Sequence, residues 1–309
     1  MSPTPAYVER RTARSEFISL RGLRHHILRW GDASLVTPEK PLLVMLHGWM
    51  DVGASFQFVV DALDALEAKG QQRAVVAMDW RGFGLSDNGG SDAYWFPDYL
   101  GDLDALLDTI SPDAPVDLLG HSMGGNVVMS YAGVRPQRIR RLINLEGFGL
   151  PETRPEMAPG RLVAWLDELK EEQRLKPYAS LDAVAERLIK TNPRLKPEKA
   201  RWLASHWSRE VGGQWLLLGD PAHKRTNPIL YRRAEIVATW AQIEAPTLWV
   251  EGDSTDITKW WGDRYPREDF EARLAVVKDL KRATLTDAGH MLHHDQPEAL
   301  AAQLASFLG

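Results

Sequence analysis

The chain has no cysteine. That excludes disulfides, thiolate catalysis and cysteine-ligated metal, and it fits a reducing compartment, so a cytoplasmic location is the expectation. No apolar run is long enough to span a membrane. Residues 1–14 are charged and proline-containing and lack the apolar stretch of a secretory signal. Positive charge is not in excess: 37 Lys and Arg face 42 Asp and Glu, a net charge of -5, which disfavours nucleic acid and anionic membrane as partners. Internal repeats and low-complexity tracts are also missing. What is present is an ordinary globular composition, 44% hydrophobic and 26% charged over 309 residues, enough for one large α/β domain with an insertion. Tryptophan is plentiful, with 12 residues. Core packing is its plainer use. Trp49, Trp95, Trp165, Trp202 and Trp207, however, fall where an aromatic-lined pocket would lie.

Apolar runs and helical spacing alternate along the chain. Short strands are expected at 17–20 and 25–30, around the turn Arg21-Gly22. Buried strands are expected at 41–46, 74–78, 116–119, 139–145 and 246–250, and a short one at 282–285. Their continuous apolar character suits strands covered on both faces. Helices are expected at 55–69, 97–110, from 123 to about 134, at 265–280 and at 297–308. Residues 151–242 differ in character. They hold amphipathic helices at about 159–174, 181–190, 197–209 and 229–241, with a doubtful strand at 214–218, and read as a helical insertion. Repeated strand–helix alternation predicts a mostly parallel sheet, with reactive residues gathered at the carboxyl ends of its strands. Trp49, Asp79, Ser122, Glu146, Asp253, Asp256 and His290 all follow predicted strands on that side.

The stretch Gly120-His121-Ser122-Met123-Gly124 sits between a strand and a helix. Glycines on either side of a serine allow a sharp turn that exposes its hydroxyl. A serine needs a base, most often histidine, and His290, after the last strand, is the candidate. A metal cluster of His290, His293 and His294 is disfavoured for want of a matching carboxylate motif, so no metal and no cofactor is expected. His25 and His26 read as structural. The base in turn needs a carboxylate, and two choices stay open: Glu146, or Asp256 (with Asp253 beside it). Both give the order serine, acid, histidine. The N–H groups of Met123 and Trp49 are candidate oxyanion donors. His47, His121, Trp95, Trp165 and Phe148 are candidate pocket residues.

Four motifs, His47-Gly48-Trp49, Asp79-x-Arg81-Gly82-x-Gly84-x-Ser86, Gly120-His121-Ser122-Met123-Gly124-Gly125 and Gly289-His290 with Pro297 after it, resemble those of the α/β-hydrolase superfamily in order and spacing. The resemblance implies an α/β-hydrolase fold with a mostly parallel eight-stranded sheet. Residues 1–150 and 243–309 would form its core and 151–242 its helical cap. It further implies a capped serine hydrolase acting on a small apolar ester, thioester or lactone. Carbon–carbon hydrolysis or cofactor-free perhydrolysis on the same residues is the alternative, and a non-catalytic binding module is a third reading. Ser122 stands where haloalkane dehalogenases and epoxide hydrolases carry aspartate, which argues against both activities. Most serine members of the superfamily have Gly-x-x-Asp after the seventh strand. Here that spacing falls on Thr255, with Asp256 one residue late, and Leu145-Glu146-Gly147 resembles the alternative acid position. The balance leans slightly to Glu146.

Overall fold

The computed structural model describes residues 6–67 and 72–309. The expected helix end at Ala68 and Lys69 lies outside them. The chain begins with a hairpin, β1 (Arg14–Leu20) and β2 (Leu23–Trp30). Then come β3 (Leu43–Leu46), α1 (Gln57–Leu66), β4 (Val75–Met78), α2 (Phe96–Ile110), β5 (Val116–His121), α3 (Met123–Val134) and β6 (Ile139–Leu145). Four helices follow, α4 (Ala158–Glu168), α5 (Leu181–Thr191), α6 (Pro197–Trp207) and α7 (Arg233–Trp240), with a small hairpin of β7 (Ser208–Val211) and β8 (Gln214–Leu217) before the last. The chain closes with β9 (Thr247–Gly252), α8 (Thr258–Trp261), α9 (Arg267–Leu274), β10 (Leu280–Leu285), α10 (Leu292–Asp295) and α11 (Pro297–Leu308).

Eight strands form one sheet in the order β1-β2-β4-β3-β5-β6-β9-β10. The pairs β1–β2 and β2–β4 are antiparallel and the remaining pairs parallel. This is the mostly parallel sheet that the alternation predicts, in the α/β-hydrolase fold that the resemblance implies. Side chains alternate across each strand, so β3 sends Val44 and Leu46 to one apolar layer and Leu43 and Met45 to the other. The first layer is closed by Leu103 and Leu106 of α2 and Val127, Val128 and Tyr131 of α3. The second is closed by Val59, Val60 and Leu63 of α1 and Leu300 and Leu304 of α11. Each fully buried aliphatic side chain contributes about 1.5–3 kcal/mol, so the two layers dominate the fold's stability. Chain order reverses at β3, which lies between β4 and β5. The loops leaving β3 and β5 therefore open into one crevice at the carboxyl edge of the sheet.

The segment 151–242 differs from its expected form in helix bounds, α4 ending at Glu168 rather than near 174 and α7 beginning at Arg233 rather than near 229, and in its strand. Its doubtful strand is real and has a partner. Gly212 and Gly213 both adopt positive φ (59° and 78°) between β7 and β8, the backbone that a tight two-residue hairpin turn requires. Phe58 of α1 anchors the segment by packing with Val184, Leu188 and Leu203 of α5 and α6. The expected helix at 265–280 is shorter. It ends at Leu274, and β10 begins at Leu280. Among the described residues, no helix is long and apolar enough to cross a membrane.

Candidate active site

Ser122 sits between the last residue of β5 and the first of α3 with φ +51°, a conformation rarely adopted by residues other than glycine. The turn around it admits no side chain at positions 120 and 124. A Cβ on Gly120 would strike the carbonyl of Gly124, and one on Gly124 would strike the carbonyls of Leu46 and His47. The strained turn is held by the N–H of Ser122 donating to Leu145 O at 2.8 Å and that of Asn126 donating to Ser122 O at 3.0 Å. Strain of this kind persists only where the surroundings over-determine it.

The geometry brings three predicted residues together. His290 Nε2 lies 2.9 Å from Ser122 Oγ, and His290 Nδ1 lies 2.8 Å from Glu146 Oε2. Glu146 is buried at 1% exposure and has φ +55°. Its other oxygen, Oε1, accepts from Gly252 N–H at 2.7 Å and from the Thr255 hydroxyl at 2.6 Å. The carboxylate is thereby fixed on one oxygen and aimed at the imidazole with the other. A carboxylate only accepts, so Nδ1 of the neutral ring carries the proton and Nε2 is left to receive the proton of Ser122.

Asp256 stands elsewhere. It is exposed, and its Oδ1 accepts from Thr258 N–H at 3.0 Å and from the Thr258 hydroxyl at 2.5 Å, starting the short α8. Asp253 accepts from Asp287 N–H at 3.1 Å and from the Ser254 hydroxyl at 3.0 Å. Both are turn residues. Two N–H groups flank the serine. Met123 is the first residue of α3, where helix N–H groups lack intrahelical acceptors. Trp49 follows Gly48, whose Cα is so close to the serine that a Cβ there would come within 3.1 Å of Ser122 Cβ.

Of the five candidate pocket residues, His47, His121 and Phe148 are buried and Trp95 and Trp165 pair with each other. His47 is fully buried, its Nε2 accepts from Trp80 N–H at 3.0 Å, and burial lowers its pKa. It ties the β3 loop to the β4 loop. His121 is buried beneath the turn, and its Nε2 lies 2.7 Å from the carbonyl oxygen of His290. Phe148 packs in the core against Trp249 and Phe270. Trp95 and Trp165 meet edge-on with centroids 6.0 Å apart, and Trp95 borders a small cleft with Tyr94, His223 and Arg225. No hydrogen bond or ring contact among the described residues joins that pair to Ser122 or His290. An aromatic ring outside that set meets His290. Trp49 is 52% exposed, and Trp260, 42% exposed, meets the His290 ring edge to face at 4.6 Å. Sequence reasoning missed Trp260, and its only signal was two adjacent tryptophans after β9. It also missed the service of Thr255 to Glu146.

A catalytic-type serine at the carboxyl edge of a doubly covered parallel sheet defines a class of hydrolases, and comparison with known proteins agrees. The chain belongs to the alpha/beta hydrolase fold family, whose model matches residues 41–297. It is 23% identical to a serine hydrolase-like protein of Danio rerio over 90% of this chain and 83% of that one. It is 25% identical to an sn-1-specific diacylglycerol lipase of Mus musculus over 90% and 82%. Among solved structures, a thioesterase domain from the curacin biosynthetic pathway superposes with a TM-score of 0.80 at 27% identity, covering 96% of this chain and 99% of that one. The chain is thus a hydrolase-family enzyme with esterase- and lipase-like relatives.

Proposed function

We propose that the chain hydrolyses a carboxylic ester, thioester or lactone of a small apolar acyl compound through an acyl-serine intermediate. The observation that carries this reading is the single imidazole of His290 spanning Ser122 Oγ at 2.9 Å and Glu146 Oε2 at 2.8 Å. Ser122 Oγ attacks the carbonyl carbon as its proton passes to His290 Nε2. Glu146 holds the ring and stabilises the imidazolium. The N–H groups of Met123 and Trp49 take the oxyanion, in a turn already strained into shape. Collapse breaks the carbonyl–oxygen or carbonyl–sulfur bond, and the leaving group departs with the proton from His290. Water then attacks the acyl-serine by the same route, releasing the acid and restoring Ser122. Trp49 and Trp260 supply apolar walls for the acyl or leaving group. One structural neighbour is a thioesterase domain, which supports keeping thioesters in the substrate class.

The test is turnover of p-nitrophenyl acetate and butyrate. Ser122→Ala lowers kcat by about 10³-fold or more while leaving the fold intact. Turnover equal to that of the unaltered chain would exclude Ser122 as the nucleophile.

A further inference from the structure

A second cluster of reactive side chains lies beneath the serine turn, with no part in the proposed acyl transfer. Asp51, in the loop after β3, His121, at the end of β5, and His293, in α10, are 3%, 1% and 0% exposed. One ligand-type atom from each lies within 4.8 Å of the other two, and His293 Nε2 is 3.7 Å from Asp51 Oδ2. Their hydrogen bonding is incomplete. His121 Nδ1, Asp51 Oδ2 and both ring nitrogens of His293 are buried and have no hydrogen-bond partner. A carbonyl only accepts, so the contact of His121 Nε2 with His290 O places the proton on Nε2 and leaves a lone pair on Nδ1. Asp51 Oδ2 is likewise an acceptor. Both acceptors face His293, whose Nε2 is 3.7 Å from Asp51 Oδ2, and a neutral imidazole has one N–H and can serve only one of them, so a buried lone pair stays unmet unless a cation stands among the three.

The outer contacts of the cluster are those that orient ligands. Asp51 Oδ1 accepts from the Ser55 hydroxyl and from Val52 N–H, and Trp207 Nε1–H donates to Ser55 Oγ. His121 is fixed by the His290 carbonyl. Such partners set the tautomer and direction of a metal-binding imidazole or carboxylate. Burial, with His293 and His290 acting the same way, holds the His121 imidazole well below its usual pKa, so it is the neutral, ligating form.

We propose that Asp51, His121 and His293 form a binding site for one divalent transition metal ion, with zinc as its fitting occupant. Two imidazoles and one carboxylate match the ligand preferences of zinc, and a fourth position is left for water. Metal–ligand bonds of about 2.0–2.2 Å bring ligand atoms to about 3.4 Å apart in a tetrahedral site. The cluster must therefore contract by roughly 1 Å, shared among three side chains. A small cleft bounded by Met50, Asp51, Val52, Trp207, Leu217 and Leu218 lies against Asp51 and offers the loading face. Because His121 adjoins Ser122 in sequence and holds the main chain of His290, the ion would sit one residue behind the reactive pair. The chain lacks cysteine, and the usual sequence marks of a zinc site with it. The three ligands come from separate loops and are recognisable only in the fold.

The test is calorimetric titration of the chelator-treated full chain with zinc chloride, alongside the visible absorption of the cobalt-loaded protein. The unaltered chain takes up about one equivalent and gives an intense tetrahedral cobalt band. Asp51→Asn and His293→Gln each weaken binding at least tenfold and lose the band, with thermal melting of metal-free protein confirming that they fold. Diffraction at the zinc edge from a zinc-soaked crystal of the unaltered chain reads the position directly, whether or not the variants fold. An anomalous peak between the three residues supports the site. No uptake by the unaltered chain, undiminished binding in both variants, or a peak elsewhere overturns it. No substrate enters any of these measurements, so the outcome is separate from that of the esterase assay.

Discussion

Hydrogen-bonding distances alone do not make a serine reactive, and this chain supplies its own comparison. Ser15 Oγ lies 2.8 Å from His26 Nε2, and His26 Nδ1 lies 2.8 Å from Asp79 Oδ2, the same chain of contacts as at Ser122. Ser15, however, is the second residue of β1, in extended strand, where no helix begins and no turn forces the hydroxyl forward. Asp79 also accepts from Gly53 N–H and Leu85 N–H, so it ties the β4 end to two loops. What distinguishes Ser122 is backbone: positive φ, the start of α3 and the nearby β3 loop. The acid is a separate matter. In the sequence Glu146 and Asp256 were equivalent in order, because each follows a strand on the same edge. In the structure they are separated by the 2.8 Å contact of Glu146 with His290, by the burial of Glu146 and by the turn contacts of Asp256. Glu146→Gln is therefore expected to lower kcat by about 10²–10⁴-fold, since an amide can hold the wrong tautomer of His290. Asp256→Asn is expected to stay within about twofold, and Thr255→Val to fall between them because one of two donors to Glu146 Oε1 is lost. Steady-state kinetics on one ester measures all three. Comparable losses in the Glu146 and Asp256 variants would contradict the assignment.

At the scale of elements, the strands were the most legible part, since two-sided burial writes itself as an unbroken apolar run in β3, β4 and β5. The terminal helix was equally clear, with Pro297 opening α11 and Leu300, Leu304 and Phe307 on its buried face. The small hairpin was obscure because β7 is mostly exposed and β8 only half-buried, so neither carries a strong apolar pattern. Pocket assignments failed for a related reason. His47, His121 and Phe148 are close to Trp49, Ser122 and Glu146 in sequence, but their side chains are buried, and nearness in sequence does not show which way a side chain faces. Contacts between the inserted segment and the core could not be read from sequence at all. His223 is one such contact. Its ring stacks between Phe83, from the β4 loop, at 3.7 Å and Tyr94, before α2, at 3.6 Å. Burial lowers its pKa to about 4, against the opposing pull of Asp220, with Arg81 and Gly82 carbonyls nearby and Tyr99 Oη 3.3 Å from Nδ1. The native ring therefore resists a proton that the unfolded chain accepts near pH 6.5. Stability from this group is complete above pH 6.5 and is lost as pH falls from there to about 4, a change on the order of 2–3 kcal/mol. Urea unfolding between pH 7 and 4 should show that slope, and His223→Gln should flatten it. An unchanged slope in the variant would assign the acid sensitivity to other groups.

Across the whole molecule, the two edges of the sheet divide their tasks. The carboxyl edge carries the strained backbone and the residues proposed for acyl transfer: Ser122 and Glu146, both at positive φ, and His290. The opposite edge carries a buried ion cluster. Asp117, at the start of β5 and fully buried, accepts from Arg73 at 2.6 Å and bidentately from Arg140 at 2.6 and 2.8 Å. Arg73 also donates to Pro41 O, and Arg140 to Leu308 O, so the cluster clamps the start of β3, β5 and β6 to the end of α11. Burial pushes the Asp117 carboxyl up, and the two guanidinium groups offset that only in part. Such a cluster is a poor source of net stability, yet removing one partner strands the others, at a cost of about 3–5 kcal/mol. Asp117→Asn should accordingly lower the urea midpoint sharply while leaving kcat per folded molecule unchanged, because Asp117 sits at the opposite end of β5 from Ser122 and touches none of Ser122, Glu146 and His290. Active-site titration of the folded fraction, paired with denaturation curves, distinguishes the two effects. A fall in kcat of the folded fraction equal to that of Glu146→Gln would show that the two edges are mechanically coupled rather than divided.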